Sequence, residues 1–119
     1  MGVEVATQPS RPEHRLAVYG TLRRGQPNHN LIADLGEPEA GSVAGFLTEW
    51  SGYPVFHSTC DDPARENERV DVELYRSVKL TPERWSELDR FETAAYRRIL
   101  VPVRISGGGL VTATIYAGA

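Results

Sequence analysis

Apolar residues fall along this chain in runs whose spacing switches between two and three or four, and that switching predicts the elements. Leu16-Ala17-Val18-Tyr19 is apolar throughout and stops at Gly20, the pattern of a short central strand buried on both faces. Leu31, Ile32 and Leu35 have helical spacing before Gly36, which predicts a short helix of about two or three turns. From Ala40 to Trp50, Val43, Phe46 and Leu47 stand among small and polar residues, as in a strand bent at Gly45. Gly52-Tyr53-Pro54 reads as a turn, Val55-Phe56 as a short strand, and the stretch from Cys60 to Glu68 as a solvated loop. Val70, Val72 and Leu74 alternate with Asp71, Glu73 and Tyr75, the clearest half-buried strand in the chain. Thr81 as N-cap, Pro82 at the first helical position and Glu83 in the first turn start a helix that runs to about Phe91 or Glu92. Ile99, Val101, Val103 and Ile105 alternate again, Gly107-Gly108-Gly109 turns the chain, and Leu110, Thr112, Thr114 and Tyr116 answer as a terminal hairpin.

Residues 1–14 show no periodicity and read as a disordered lead-in, leaving one folded domain over 15–119. Five or six strands and two helices with short connections make an α+β domain with a curved, largely antiparallel sheet or small barrel. At 119 residues, 40% apolar and 24% charged, the chain is long enough for one packed core without metals or cross-links. Cys60 is the only cysteine, so no internal disulfide forms. A lone thiol, no signal-type apolar run at the start and no stretch long enough to span a bilayer together predict a cytoplasmic protein without a membrane partner. The start lacks the Ser or Thr at position 6 that myristoylation wants, Ala6 standing there. A net charge of −3 argues against a surface built for nucleic-acid phosphates.

The residue that changes this picture is Glu92. On a helix starting at Thr81 it lies seven after Trp85 and four after Leu88, so a carboxylate continues the apolar stripe. Desolvation there raises its pKa toward neutrality, as a group that both takes and gives protons requires. The plainer alternative is a helix that frays before position 92, leaving Glu92 in water or paired with Arg97 or Arg98. A second feature is the sharp end of the first strand at Tyr19-Gly20-Thr21-Leu22, which leaves the N–H groups of Gly20, Thr21 and Leu22 without ladder partners. Successive free amides form a concavity suited to a carboxylate or an oxyanion.

Tyr19-Gly20-Thr21-Leu22-Arg23-Arg24-Gly25, followed by Asn28 and Leu31, resembles the YGS/TL-R-x-G signature that opens the gamma-glutamylcyclotransferase-like family, which includes AIG2-like and gamma-glutamylamine cyclotransferase proteins. Gly52-Tyr53-Pro54 is similar to the family's GYP turn, Val72-Glu73-Leu74-Tyr75 to its middle strand, and Leu88-Asp89-Arg90-Phe91-Glu92 with Tyr96-Arg97-Arg98 to its LD-x-x-E...Y-x-R segment. The resemblance runs from about Val18 to Tyr116 and implies a small mixed β-barrel with flanking helices, a pocket at the YGS/TL loop and the motif glutamate, Glu92, as acid/base. It also implies a reaction in which the α-amine of a γ-glutamyl group attacks its own γ-carbonyl, releasing 5-oxoproline and an amine or amino acid. The substrate is then a small γ-glutamyl molecule, held by Tyr19, Gly20, Thr21, Leu22, Gly52, Tyr53 and Tyr96, and no metal or organic cofactor is needed. Two departures stand out: Val72 replaces a glycine of the middle strand and would narrow that wall of the cavity, and Thr93 replaces the glycine after the glutamate.

Other chemistry finds little support. His14, His29 and His57 lack metal-ligand spacing, Cys60 sits beside Asp61 and Asp62, which raise a thiol pKa, and the triple glycine lacks a nucleotide-loop context. Arg23-Arg24 and Arg97-Arg98 read as solvated faces or ion-pair partners. The rival of another class is a noncatalytic small-molecule-binding or stress-response module that keeps the barrel and pocket without turnover. Oligomeric state is not encoded in any pattern of the chain.

Overall fold

Alternation in the strands sorts their side chains onto two faces, one filling the barrel and the other covered in part by the layer outside it. The computed structural model describes residues 11–59 and 62–119; Cys60 and the first ten residues lie outside them. In chain order the elements are β1 (Arg15–Val18), β2 (Glu39–Trp50), β3 (Tyr53–Ser58), β4 (Arg69–Arg76), α1 (Pro82–Glu92), β5 (Tyr96–Ile105) and β6 (Leu110–Gly118). The strands form one six-stranded sheet that closes on itself: β1 pairs with β4 and β6, and β2 with β4, β3 and β5. Of these pairings and those of β6 with β3 and β5, only β1–β6 and β3–β6 are parallel, so the barrel is mixed and largely antiparallel. Closure leaves few free edges for a second chain to extend.

Two apolar clusters follow from the alternation. Ala17, Val43, Phe56, Leu74, Val103 and Ile115 are among the side chains that fill the barrel. Leu16, Val18, Tyr75 and Tyr116 point outward and meet Ile32, Leu80, Trp85 and Leu88 from the layer outside it. β1 is thus buried on both faces, as its unbroken apolar run predicts. Trp85 and Leu88 anchor α1, each burial stabilising by about 2 kcal/mol. The Thr81 hydroxyl accepts from Arg84 N at 3.2 Å, the N-cap read from the sequence.

The structure corrects several expectations. The segment before Gly36 is not an α-helix but two single 3₁₀ turns, His29–Leu31 and Ala33–Leu35, interrupted at Ile32 with φ −129°. So short a stretch cannot offset the cost of nucleating an α-helix, and burial of Ile32 and Leu35 holds the turns instead. Residues 12–14 also belong to the fold: Thr114 Oγ1 donates to Pro12 O at 2.9 Å and Trp85 Nε1 to Glu13 O at 2.9 Å. Tyr53 and Pro54 lie in β3, the turn being made by Ser51 (φ 53°) and Gly52 (φ 84°). In β6 the barrel-facing residues include Ala113, Ile115 and Ala117, while Thr114 and Tyr116 are buried on the outer face and Leu110 is exposed. Gly45 also serves a close contact, since a Cβ there would stand 2.3 Å from Phe56 Cε1, at the residue where β2 passes from pairing with β4 to pairing with β3.

Candidate functional site

A pocket of about 400 Å³ opens where the end of β1 meets the end of α1 and the β2–β3 hairpin. Of the residues nominated from sequence, Glu92, Tyr19, Gly20, Thr21, Leu22, Tyr53 and Tyr96 line it and Gly52 does not. Gly52 instead supplies the positive φ that closes the hairpin.

Helix α1 stays regular through Glu92, and Thr93 N donates to Asp89 O at 2.9 Å, so the helix does not end before the carboxylate. The arginines that might have paired with Glu92 are engaged elsewhere, Arg98 with Asp89 at 3.0 Å and Arg97 weakly with Gly118 O at 3.4 Å. Glu92 is half-buried, and burial alone pushes its carboxyl up to about 7. The C-terminal end of a helix, with its negative dipole, disfavours the carboxylate in the same direction. A carboxyl poised near neutrality and facing a pocket is suited to accept and return a proton.

Lining the same pocket, the chain leaves β1 in a compact loop. Arg23 N donates to Gly20 O at 3.1 Å and Asn28 N to Thr21 O at 3.0 Å, while the Asn28 amide donates to Thr21 Oγ1 at 2.9 Å. Glu73 secures the far end, its Oε1 accepting from Arg24 N at 2.9 Å and from the Tyr75 hydroxyl at 3.1 Å. Among the described residues, the N–H groups of Gly20, Thr21 and Leu22 meet no acceptor, so they are available to an anionic oxygen. Gly20 lets this loop lie against the hairpin, since a Cβ would come to 3.3 Å from Pro54 Cγ.

The tyrosines are walls more than donors. Tyr19 gives its hydroxyl proton to Tyr116 O at 2.6 Å and accepts from Phe56 N at 3.0 Å; Tyr96 donates to Pro54 O at 3.0 Å. A phenol has one proton to give, so donation to a ligand would require breaking one of these bonds. The phenols of Tyr19, Tyr96 and Tyr116 are all held above the usual range by burial first, with the Glu92 charge adding to it.

Sequence reading missed Asn28 as a loop brace, Glu73 as the staple of that loop, and Trp50 and Phe91 as lining. Trp50 had a signal, an apolar residue beside a tight turn, but no periodicity points it at Glu92. Val72 faces the barrel interior and does not line the pocket, so it does not narrow that wall. Thr93 does line it, with φ 67° and ψ −177°, a backbone region essentially reserved for glycine. Among the described residues no three His, Cys, Asp or Glu side chains gather to hold a metal, and no helix is long and apolar enough to cross a membrane.

The barrel agrees with comparisons to known proteins. The chain belongs to the gamma-glutamyl cyclotransferase, AIG2-like family, whose model matches residues 16–119. Among solved structures it is similar to YkqA of Bacillus subtilis, with 27% identity, a TM-score of 0.70, and coverage of 88% of this chain but 35% of that one. An AIG2-like protein of mouse shares the fold at 22% identity and a TM-score of 0.66, covering 89% and 77% of the two chains. An uncharacterised protein of Pyrococcus horikoshii does so at 21% identity and 0.59, covering 87% and 76%. The chain therefore spans about a third of YkqA and most of the other two. No curated protein matches it.

Proposed function

We propose that the protein is a γ-glutamyl cyclotransferase acting on a small γ-glutamyl molecule, with Glu92 as its acid/base. The observation that carries this reading is an unpaired, half-buried carboxyl near pKa 7 that lines one pocket together with the loop whose amides are free. Glu92 as carboxylate takes a proton from the substrate's α-ammonium, and the freed nitrogen attacks the γ-carbonyl. The new C–N bond closes a five-membered ring and the old γ-amide C–N bond breaks. Of the ammonium's protons one stays on the lactam nitrogen; the others pass by way of Glu92 to the leaving nitrogen, which departs as an ammonium. The amides of Gly20, Thr21 and Leu22 receive an anionic oxygen, either the α-carboxylate or the oxyanion of the tetrahedral intermediate. Because the nucleophile belongs to the substrate, orientation matters more than activation, and the braced loop and rigid aromatic walls supply it.

The test is 5-oxoproline release, measured by mass spectrometry, from γ-glutamyl amines, γ-glutamyl amino acids and glutathione by the protein and its Glu92→Gln variant. Release by the parent and a loss of about a hundredfold or more in the variant is the expected result. Release that survives the substitution removes Glu92 from this role. Binding of a panel member with no turnover favours the noncatalytic module on the same fold.

A further inference from the structure

The pocket is graded from floor to mouth. Ala17, Val18 and Leu22 are buried at its base, while Trp50, Tyr53 and Phe91 at its rim are 58%, 53% and 38% exposed. Trp50 and Tyr53 are direct register partners across the two-residue turn of the β2–β3 hairpin, so a rigid turn sets both rings beside each other. Phe91 comes from α1, next to Glu92. Neither Trp50 nor Tyr53 belongs to either apolar core cluster, and exposed aromatic rings gathered at the mouth of a pocket offer surface to a ligand.

The charges matter as much. Among the described residues the lining contains no Lys or Arg, and Glu92 is its only carboxylate. A substrate whose cyclising end sits at Glu92 and the loop amides must send its leaving group toward the mouth. There it meets aromatic rings and, among the described lining residues, no cation able to pair with a carboxylate.

On the cyclotransferase reading above, on which this step rests, we infer that the leaving group is an apolar amine with no charged group beyond its own nitrogen, best an aromatic one, rather than an amino acid. An amino-acid leaving group would bring its α-carboxylate into an apolar rim without a partner, an unfavourable desolvation, and toward the Glu92 charge. A flat apolar group instead lies against Trp50 and Tyr53 and gains contact on both.

Three substrates separate the ring from the charge: γ-glutamylbenzylamide, γ-glutamylphenylalanine, which adds a carboxylate to that ring, and γ-glutamylmethylamide, which lacks the ring. Assayed for 5-oxoproline, the benzylamide is expected to exceed each of the others by about tenfold or more in kcat/KM. Trp50→Ala and Tyr53→Ala should each raise KM for the benzylamide and narrow its advantage over the methylamide, circular dichroism showing the fold retained. Equal or faster turnover of γ-glutamylphenylalanine, or a benzylamide advantage untouched by both variants, overturns the leaving-group assignment and leaves the reaction standing. No 5-oxoproline from any of the three or from the broader γ-glutamyl panel overturns the reaction itself, and this inference with it.

Discussion

The Tyr116 hydroxyl donates to Asp89 Oδ1 at 2.6 Å, and this bond ties the last barrel strand to the helix that ends at Glu92. Asp89 also pairs with Arg98, so one carboxylate links α1 to both β5 and β6. Glu92 lies three residues on, within one turn of that anchor. Tyr116→Phe keeps the ring in its buried place but leaves the helix held on one side only. A loss of about 1–2 kcal/mol in urea unfolding is expected. If Glu92 acts as proposed, kcat should fall by about tenfold with little change in KM, since loosened positioning acts on the reacting geometry. An unchanged kcat would mean that packing of Trp85 and Leu88 alone positions the helix.

Burial of Glu92 also makes a pH prediction. Its folded pKa, about 7, lies above the ordinary 4.5, so between those values the folded state binds more protons than the unfolded one. Any stability that the neutral carboxyl allows is therefore fully present below about pH 4.5 and is lost as pH rises through about 7. Glu92→Gln, always neutral, escapes that loss. Melting temperatures of the two proteins should coincide near pH 4, diverge in favour of the variant through pH 7, and then stay parallel. A constant offset at every pH would contradict a raised Glu92 pKa.

Thr93 sits where a glycine would be unstrained. Its φ of 67° with ψ near 180° crowds a β-branched side chain, and its hydroxyl offers in return only a 3.4 Å contact to Ala95 N. Thr93→Gly should stabilise the fold by about 1 kcal/mol, the relief of strain exceeding the entropy that glycine adds to the unfolded chain. The denaturation midpoint checks this, and a fall in it would show that the threonine side chain contributes more than it strains.

Glu73 accepts from both Arg24 N and the buried Tyr75 hydroxyl. Glu73→Ala strands that hydroxyl and frees the far end of the amide-bearing loop, for a cost of about 2 kcal/mol. Glu73→Gln retains an acceptor oxygen and should recover most of it. Amide exchange over residues 20–25 should quicken in the alanine variant and much less in the glutamine one. Equal exchange in both would remove the staple role.

Local pattern was enough to reveal a good part of this. Period-two alternation placed β4 and β5, an unbroken apolar run marked β1 as buried twice over, and Thr81-Pro82 located the start of α1 to the residue. From that start the helical repeat put Glu92 on the face of Trp85 and Leu88, so the half-buried carboxyl was legible before any tertiary contact was known. All of these rest on neighbours within about one helical turn or one pleat.

What the sequence could not determine depends on residues far apart in it. Which face of β6 turns inward is set by its pairing with β5 and β1. Gly45 and Phe56 meet because β2 and β3 pair, and Arg24 finds Glu73 49 residues away because β4 lies beside β1. The sequence alone determined a barrel-forming alternation, a capped helix and a carboxylate on its buried side. Only the closed barrel decided that this carboxylate shares one pocket with the loop after β1, because closure brings the end of β1, the end of α1 and the β2–β3 hairpin to one mouth.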